Sequence, residues 1–312
     1  MSTVTIIIPN YNHAIYLNQR IESVLAQTYE NTEIILLDDC STDDSRILIE
    51  KYRKNNRVTK IIYNETNSGS PFIQWNKGVR LALGKYVWIA ESDDYADSNF
   101  LKTLVEKLEA DPTLGLAYCQ SWKVDAEDNL LGTWHEHTQG LDALLWTDDF
   151  VSEGKEMVKK FMIRRNVIPN ASAVVFRRFL YEKVGGADES NKVNSDWILW
   201  VNMLLQSNVA FTAVPLNYFR NHDNNARDSI VNDAKYLEEE SKVFAYIANQ
   251  IQTDHKAYEL ALSKLMDKWI DATLERKVSS NLHKKVYETL HQVESRLNLK
   301  IIRKVVKRLL SR

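Results

Sequence analysis

The chain has 312 residues, room for one large domain or two modest ones, and its 44% hydrophobic and 26% charged content is that of a folded protein. A formal net charge of −2 excludes the strong basic excess of a dedicated nucleic-acid binder, and no run approaches the ~18 apolar residues of a membrane span. Two cysteines far apart, Cys40 and Cys119, make neither a disulfide framework nor a thiolate metal motif, so a reducing cytoplasm is the expected setting.

Val4 to Ile8 reads as a buried strand and not as a secretion signal. Leu17, Ile21, Val24, Leu25 and Thr28 then recur at helical spacing. Thr32 to Asp39 is a second strand ending in paired acids, and capping residues from Ser41 open a helix that runs to Tyr52. A third strand, Val58 to Asn64, leads through a turn-rich segment into a helix that ends at Ala82. The fourth, Lys85 to Ala90, runs into Glu91, Asp93 and Asp94, with Asp97 at the start of the next helix. Such alternation implies an α/β fold, a mostly parallel central sheet covered by helices on both faces.

The second half is less regular. Leu114 to Trp122 reads as a strand, 123–152 as a long excursion, and 153–165 as helical. Ala171 to Arg178 is a strand, Ser195 to Gln206 a helix and Val209 to Phe219 a strand; beyond Arg227 the pattern is helical throughout. The expected organisation is an α/β unit over 1–227, with a first half at 1–122 and a second at 123–227, then a helical extension over 228–312.

In open α/β sheets ligands bind beyond the carboxyl ends of the strands. That edge collects Pro9, Asn10 and Tyr11 from the first strand, Asp38 and Asp39 from the second, and Glu91, Asp93 and Asp94 from the fourth. Neither a dinucleotide fingerprint nor a Walker loop is present. Without a glycine-rich cradle, the charge of a bound diphosphate would be met by a divalent cation, Mn2+ or Mg2+, held on carboxylates.

The ordered motifs TIIIPNYNHAIYLNQRIESVLAQTY, EIILLDDCSTDDS and GKYVWIAESDD resemble the donor-binding half of glycosyltransferase family 2, whose fold is of GT-A type. GGADESNKVNSDWILW and LNYFRNHDNNAR are similar to that family's acceptor side, so the resemblance spans about residues 3–227. It implies an inverting, metal-dependent enzyme that moves a sugar from a nucleotide-diphosphate donor, UDP favoured over dTDP or GDP. The acceptor would be a hydroxyl of a glycan or polyprenyl-linked molecule, as in surface polysaccharide assembly.

Carried over by position, the resemblance places Tyr11 against the nucleotide base with Pro9 beside it, and Asp39 on the base or ribose. Asp93 and His222 would hold the metal, Glu91 and Ser92 would line the donor, and Arg220 would share the diphosphate. Asp196 would be the general base that deprotonates the acceptor. Glu91 stands where the family usually has aspartate, and Ser195 where it often has an acid. These departures keep a catalytically silent sugar-nucleotide or glycan-binding module as the alternative. A nucleotidyltransferase would need a glycine-rich basic loop that IPNYNHA lacks.

Plainer readings stand beside these. Tyr11 could be a core aromatic, Asp39 a turn residue, the acid cluster a solvated turn, and Asp196 an ordinary N-cap. His135 and His137 in WHEH lack a third ligand at zinc spacing. Trp134 and Trp146 either stack on acceptor sugars or fill core. The segment 296–312 has seven basic residues and no acid, with apolar pairs every four residues. It reads as a basic amphipathic helix that lies on a membrane surface, making the enzyme peripheral, or packs on the enzyme or on a second subunit of a homodimer.

Overall fold

Strand β1 (Val4–Asn10) is buried at all seven positions, as a strand flanked by neighbours and covered on both faces must be. In the computed structural model, which describes residues 3–190, 194–222 and 234–310, β1 pairs in parallel with β2 (Thr32–Asp38) and β4 (Tyr86–Ile89). β2 in turn pairs in parallel with β3 (Val58–Tyr63). The sheet continues through β9 (Val174–Arg177), β6 (Leu114–Val124), β10 (Asn208–Arg220) and the short β5 (Tyr95–Ala96). β9 runs antiparallel to both β4 and β6, and β6 and β10 pair in parallel. Two reversals restore direction, so β10 ends at the same edge as β1, β2 and β4.

Helices cover both faces. α1 (Ala14–Leu25), α2 (Ser45–Lys51) and α4 (Phe100–Ala110) bury Leu17, Ile21, Ile49 and Leu104 in one cluster with Val4, Ile6 and Ile8. On the other face α3 (Pro71–Leu81) comes so close to β1 that a β-carbon at Gly78 would lie 2.5 Å from Ile7 Cγ2. Trp75 of α3 lies 6.5 Å, centroid to centroid, from Trp200 of α8 (Ser195–Leu204).

The excursion after β6 holds β7 (Leu130–Thr133), the helical turn α5 (His135–Thr138) and β8 (Phe150–Ser152). His135 and His137 of WHEH are therefore on a helical turn, and residues two apart on a helix point to opposite sides. Trp146 is 2% exposed and donates its indole N–H to the Tyr118 hydroxyl at 2.8 Å, which makes it a core residue. α6 (Gly154–Met157) and α7 (Arg178–Lys183) complete the connections.

Residues up to 155 with 167–222 form one compact unit; 156–166 with the chain beyond 222 form another. The boundary expected at 227–228 lies outside the described residues. The second unit contains α9 (Tyr236–Gln250), α10 (His255–Leu274), α11 (Ser280–His291) and α12 (Leu297–Leu310). Asp254 and Ser279 cap α10 and α11 by accepting from Ala257 N and Leu282 N. Among the described residues no helix is long and apolar enough to cross a membrane.

Candidate active site

The turns that follow β1 and β2 are tied to each other. Asn10 Nδ2 donates to Asp38 Oδ1 and Ser41 Oγ, both at 3.1 Å; Asn12 N donates to Ser41 Oγ at 3.0 Å, and Thr42 N to Asn12 Oδ1 at 2.8 Å. Asn12 and Cys40 hold φ of 56° and 64°, a left-handed geometry that a non-glycine residue keeps only where its surroundings impose it. Ala14 N at the start of α1 donates to Asp43 Oδ2 at 2.9 Å. These bonds fix the edge on which Tyr11 sits, and Tyr11 is 46% exposed. A ring so exposed is no core aromatic and is available to stack on a ligand.

The acid turn after β4 brings Glu91, Asp93 and Asp94 together. Glu91 Oε1 accepts the indole N–H of Trp75 at 2.6 Å, and burial, with Asp93 adding to it, pushes its carboxyl up to about 8. Asp94, 2% exposed, is pushed up to about 7 by the same two causes. The nearest guanidinium nitrogen of Arg20 lies 3.9 Å from its Oδ2, too far to offset burial. For Asp93 burial also acts upward, but the His222 hydrogen bond and the His13 and His222 rings outweigh it and hold the carboxyl below its usual range. Of the three acids, only Asp93 is held below its usual range.

His222 Nε2 lies 3.2 Å from Asp93 Oδ2, and His13 Nδ1 2.8 Å from Ser92 Oγ. Ligand atoms of His13, Asp93 and His222 all fall within 4.8 Å of one another, the one such group among the described residues. Opposite ligands on an ion bound at ~2.1 Å are about 4.2 Å apart, so small side-chain rotations would close these three on one cation. Burial lowers the His13 pKa, which keeps its imidazole in the neutral form that binds metal.

Arg220 is buried, 1% exposed, and every guanidinium N–H is engaged. Nε donates to Asp93 O at 2.8 Å, Nη1 to Asp125 O and Ala126 O, and Nη2 to Gln19 Oε1 at 2.6 Å and Asp128 Oδ1 at 2.7 Å. Its plane lies over the Tyr16 ring, 4.4 Å from the centroid, while its backbone N–H donates to Asp94 Oδ1. These contacts make Arg220 a clamp on the acid turn, and the expected contact with a diphosphate would require one of them to yield. Arg220→Met should lower stability by about 3 kcal/mol, the scale for breaking a buried charge pair. Urea unfolding would measure it, and a change under 1 kcal/mol would rule the clamp out.

Asp39 is likewise occupied. Its carboxylate accepts from Asn64 Nδ2 (2.6 Å), Ser68 N (3.0 Å), Ser68 Oγ (2.6 Å) and Gln74 Nε2 (3.0 Å). It organises the loop from β3 to α3, and contact with a base or ribose would require one of these bonds to yield. Pro9 is buried in β1. Asp196, 7% exposed, lies in the first turn of α8 and accepts from Trp197 N at 2.8 Å. That helix reaches the acid turn through Trp200, Trp75 and Glu91.

The family model described as Glycosyl transferase family 2 matches residues 5–185, more than half of the chain. The chain belongs to glycosyl transferase family 2. Glycosyltransferase GlyG of Streptococcus pneumoniae is 34% identical over 118 residues, 37% of this chain and 39% of that protein. Poly(ribitol-phosphate) beta-N-acetylglucosaminyltransferase TarS of Staphylococcus aureus is 36% identical over 104 residues, 33% of this chain and 18% of TarS. Both matches span well under two thirds of the relative's length. The crystal structure of S. aureus TarS with UDP-GlcNAc aligns at a TM-score of 0.69 and 18% identity, over 96% of this chain and 83% of that one. Mannosyltransferase PcManGT of Pyrobaculum calidifontis, in complex with GDP-Man and Mn2+, aligns at 0.55 and 17%, over 99% and 87%. The likeness to TarS is that of the GT-A fold.

In this family 2 glycosyltransferase the expected residues Glu91, Ser92, Asp93 and His222 come together at one strand edge, and His13 joins them without having been expected. A signal for it exists in α1 and the residue before it. His13, Tyr16 and Arg20 recur at three and four residues, a polar stripe beside the apolar one of Leu17, Ile21 and Val24. Arg20 Nε donates to Glu91 O at 2.8 Å, and Tyr16 packs on both Arg220 and His222. The stripe faces the acid turn.

Proposed function

We propose that this glycosyltransferase is metal-dependent and inverting, moving a sugar from a UDP-sugar to a hydroxyl of a surface glycan, polyol-phosphate polymer or lipid-linked precursor. The observation that carries the reading is the His13–Asp93–His222 group at the strand edge where donors bind in open α/β sheets. Two imidazoles in the set favour Mn2+ over Mg2+, which prefers all-oxygen ligation. Tyr11 stacks on the base, and Glu91 and Ser92 line the donor. Asp196 takes the acceptor's proton as its oxygen attacks the anomeric carbon and the bond to the diphosphate breaks. A cation held by the three ligands would act as a Lewis acid toward the charge on the departing diphosphate.

The name of TarS and its UDP-GlcNAc complex support a UDP-sugar donor and a polyol-phosphate acceptor; a lipid-linked precursor would instead bring the enzyme to the cytoplasmic membrane surface. Thermal shift with UDP-, dTDP- and GDP-sugars, each in Mn2+, Mg2+ or EDTA, tests the reading. A UDP-sugar at a hundred times its Kd should add about 2.7 kcal/mol of stability, present in Mn2+ and lost in EDTA. If no nucleotide sugar stabilises the protein in Mn2+, the enzyme reading fails and a glycan-binding module takes its place.

A further inference from the structure

Helix α12 carries a row of ion pairs along the side that meets α10. Lys300 Nζ bridges Glu259 of α10 at 2.6 Å and Glu294 at 2.7 Å, and Lys304 Nζ reaches Asp267 at 2.5 Å. Arg308 pairs with Asp267 at 2.8 Å and with Asp271. The basic residues recur every four positions, so they share one side of the helix with the buried Leu297 and half-buried Ile301. Their partners Glu259, Asp267 and Asp271 form one stripe along α10, and the two helices run parallel.

This orientation turns the opposite side outward. Leu299, Ile302, Val306 and Leu310 are 55%, 58%, 47% and 83% exposed and follow one another along a single strip. Arg303 and Lys307 border the strip, both exposed and without an ion pair among the described residues, and α12 contains no acid. Three of the basic residues that the sequence pattern assigns to a lipid-facing helix are thus neutralised by α10. Two remain beside the apolar strip.

We propose that this strip docks on an anionic lipid bilayer, its aliphatic side chains entering the acyl boundary while Arg303 and Lys307 meet lipid phosphates. Charge complementarity favours lipid over a second copy of the chain. In a two-fold dimer each Arg303 and Lys307 would face like charges with no acid of α12 to pair with. One helix face also falls short of the ~800 Å² per partner that a stable interface needs.

The test uses the full chain without sugar donor, so its outcome is independent of the transferase reading. Co-sedimentation with phosphatidylcholine vesicles, with and without a quarter phosphatidylglycerol, should show binding to the anionic vesicles alone. Arg303→Ala with Lys307→Ala should weaken that partition about thirtyfold, and Ile302→Glu with Val306→Glu should abolish it. Circular dichroism melting of each variant keeps a folding failure apart from lost docking, and the charge pair carries the test if the apolar pair does not fold. Absence of wild-type binding, or equal binding to both vesicle types, overturns the proposal. So does a dimer, seen by light scattering, that Ile302→Glu with Val306→Glu splits into monomers.

Discussion

Asp93→Asn is expected to lower kcat/KM by about 10³-fold and to remove the Mn2+ dependence of donor binding. Several kcal/mol of leaving-group stabilisation is the usual contribution of a Lewis-acid cation, and each 1.36 kcal/mol is tenfold in rate. Asparagine keeps the size of the side chain, so the loss would come from charge. A purely structural role for Asp93 makes a different prediction. The His222 hydrogen bond and the two imidazoles hold its carboxyl below the usual range, so the fold favours the charged form, and on that role Asp93→Asn would lower the melting temperature of the metal-free protein without removing any Mn2+ dependence. Activity that persists in Asp93→Asn or in EDTA would sink the metal assignment. His13→Ala should act more mildly, a 10–100-fold loss of Mn2+ affinity that excess metal overcomes.

How much of this was legible beforehand depends on whether a property is local. The strand ends were legible because parallel strands read as apolar runs that stop at the first polar residues, and Asn10, Asp38 and Glu91 mark those stops. The pairing of Asp93 with His222 spans 129 positions, and motif order, not spacing, pointed to it. Asp39 and Arg220 show why roles were harder to assign. A carboxylate or guanidinium at a sheet edge can serve a ligand or a loop, and only the fold decides how many internal partners reach it. For Arg220 the chain brings five acceptors, contributed by Gln19, Asp93, Asp125, Ala126 and Asp128. The last helix repeats the lesson. Its period shows an amphipathic helix, but which side faces out is set by acids on α10 that lie some forty residues away.

Asp196→Asn is expected to lower kcat by 10²–10⁴-fold, the usual contribution of a positioned general base, while leaving donor affinity in Mn2+ unchanged. The substitution preserves the described bond at the start of α8. Asp196 Oδ1 accepts from Trp197 N, and the asparagine carbonyl oxygen can accept the same bond. What asparagine cannot do is take a proton from an acceptor hydroxyl. The competing explanation, that Asp196 only serves the start of α8, predicts the opposite split. Loss of an acid near a helix N-terminus costs 0.3–1 kcal/mol of stability and would leave kcat intact. Pre-steady-state transfer and calorimetric donor binding on the same variant separate the two. Weakened donor binding with normal transfer would move Asp196 from the acceptor to the donor. A drop in kcat alone fits the inverting reaction, because the base there meets the acceptor and never the nucleotide.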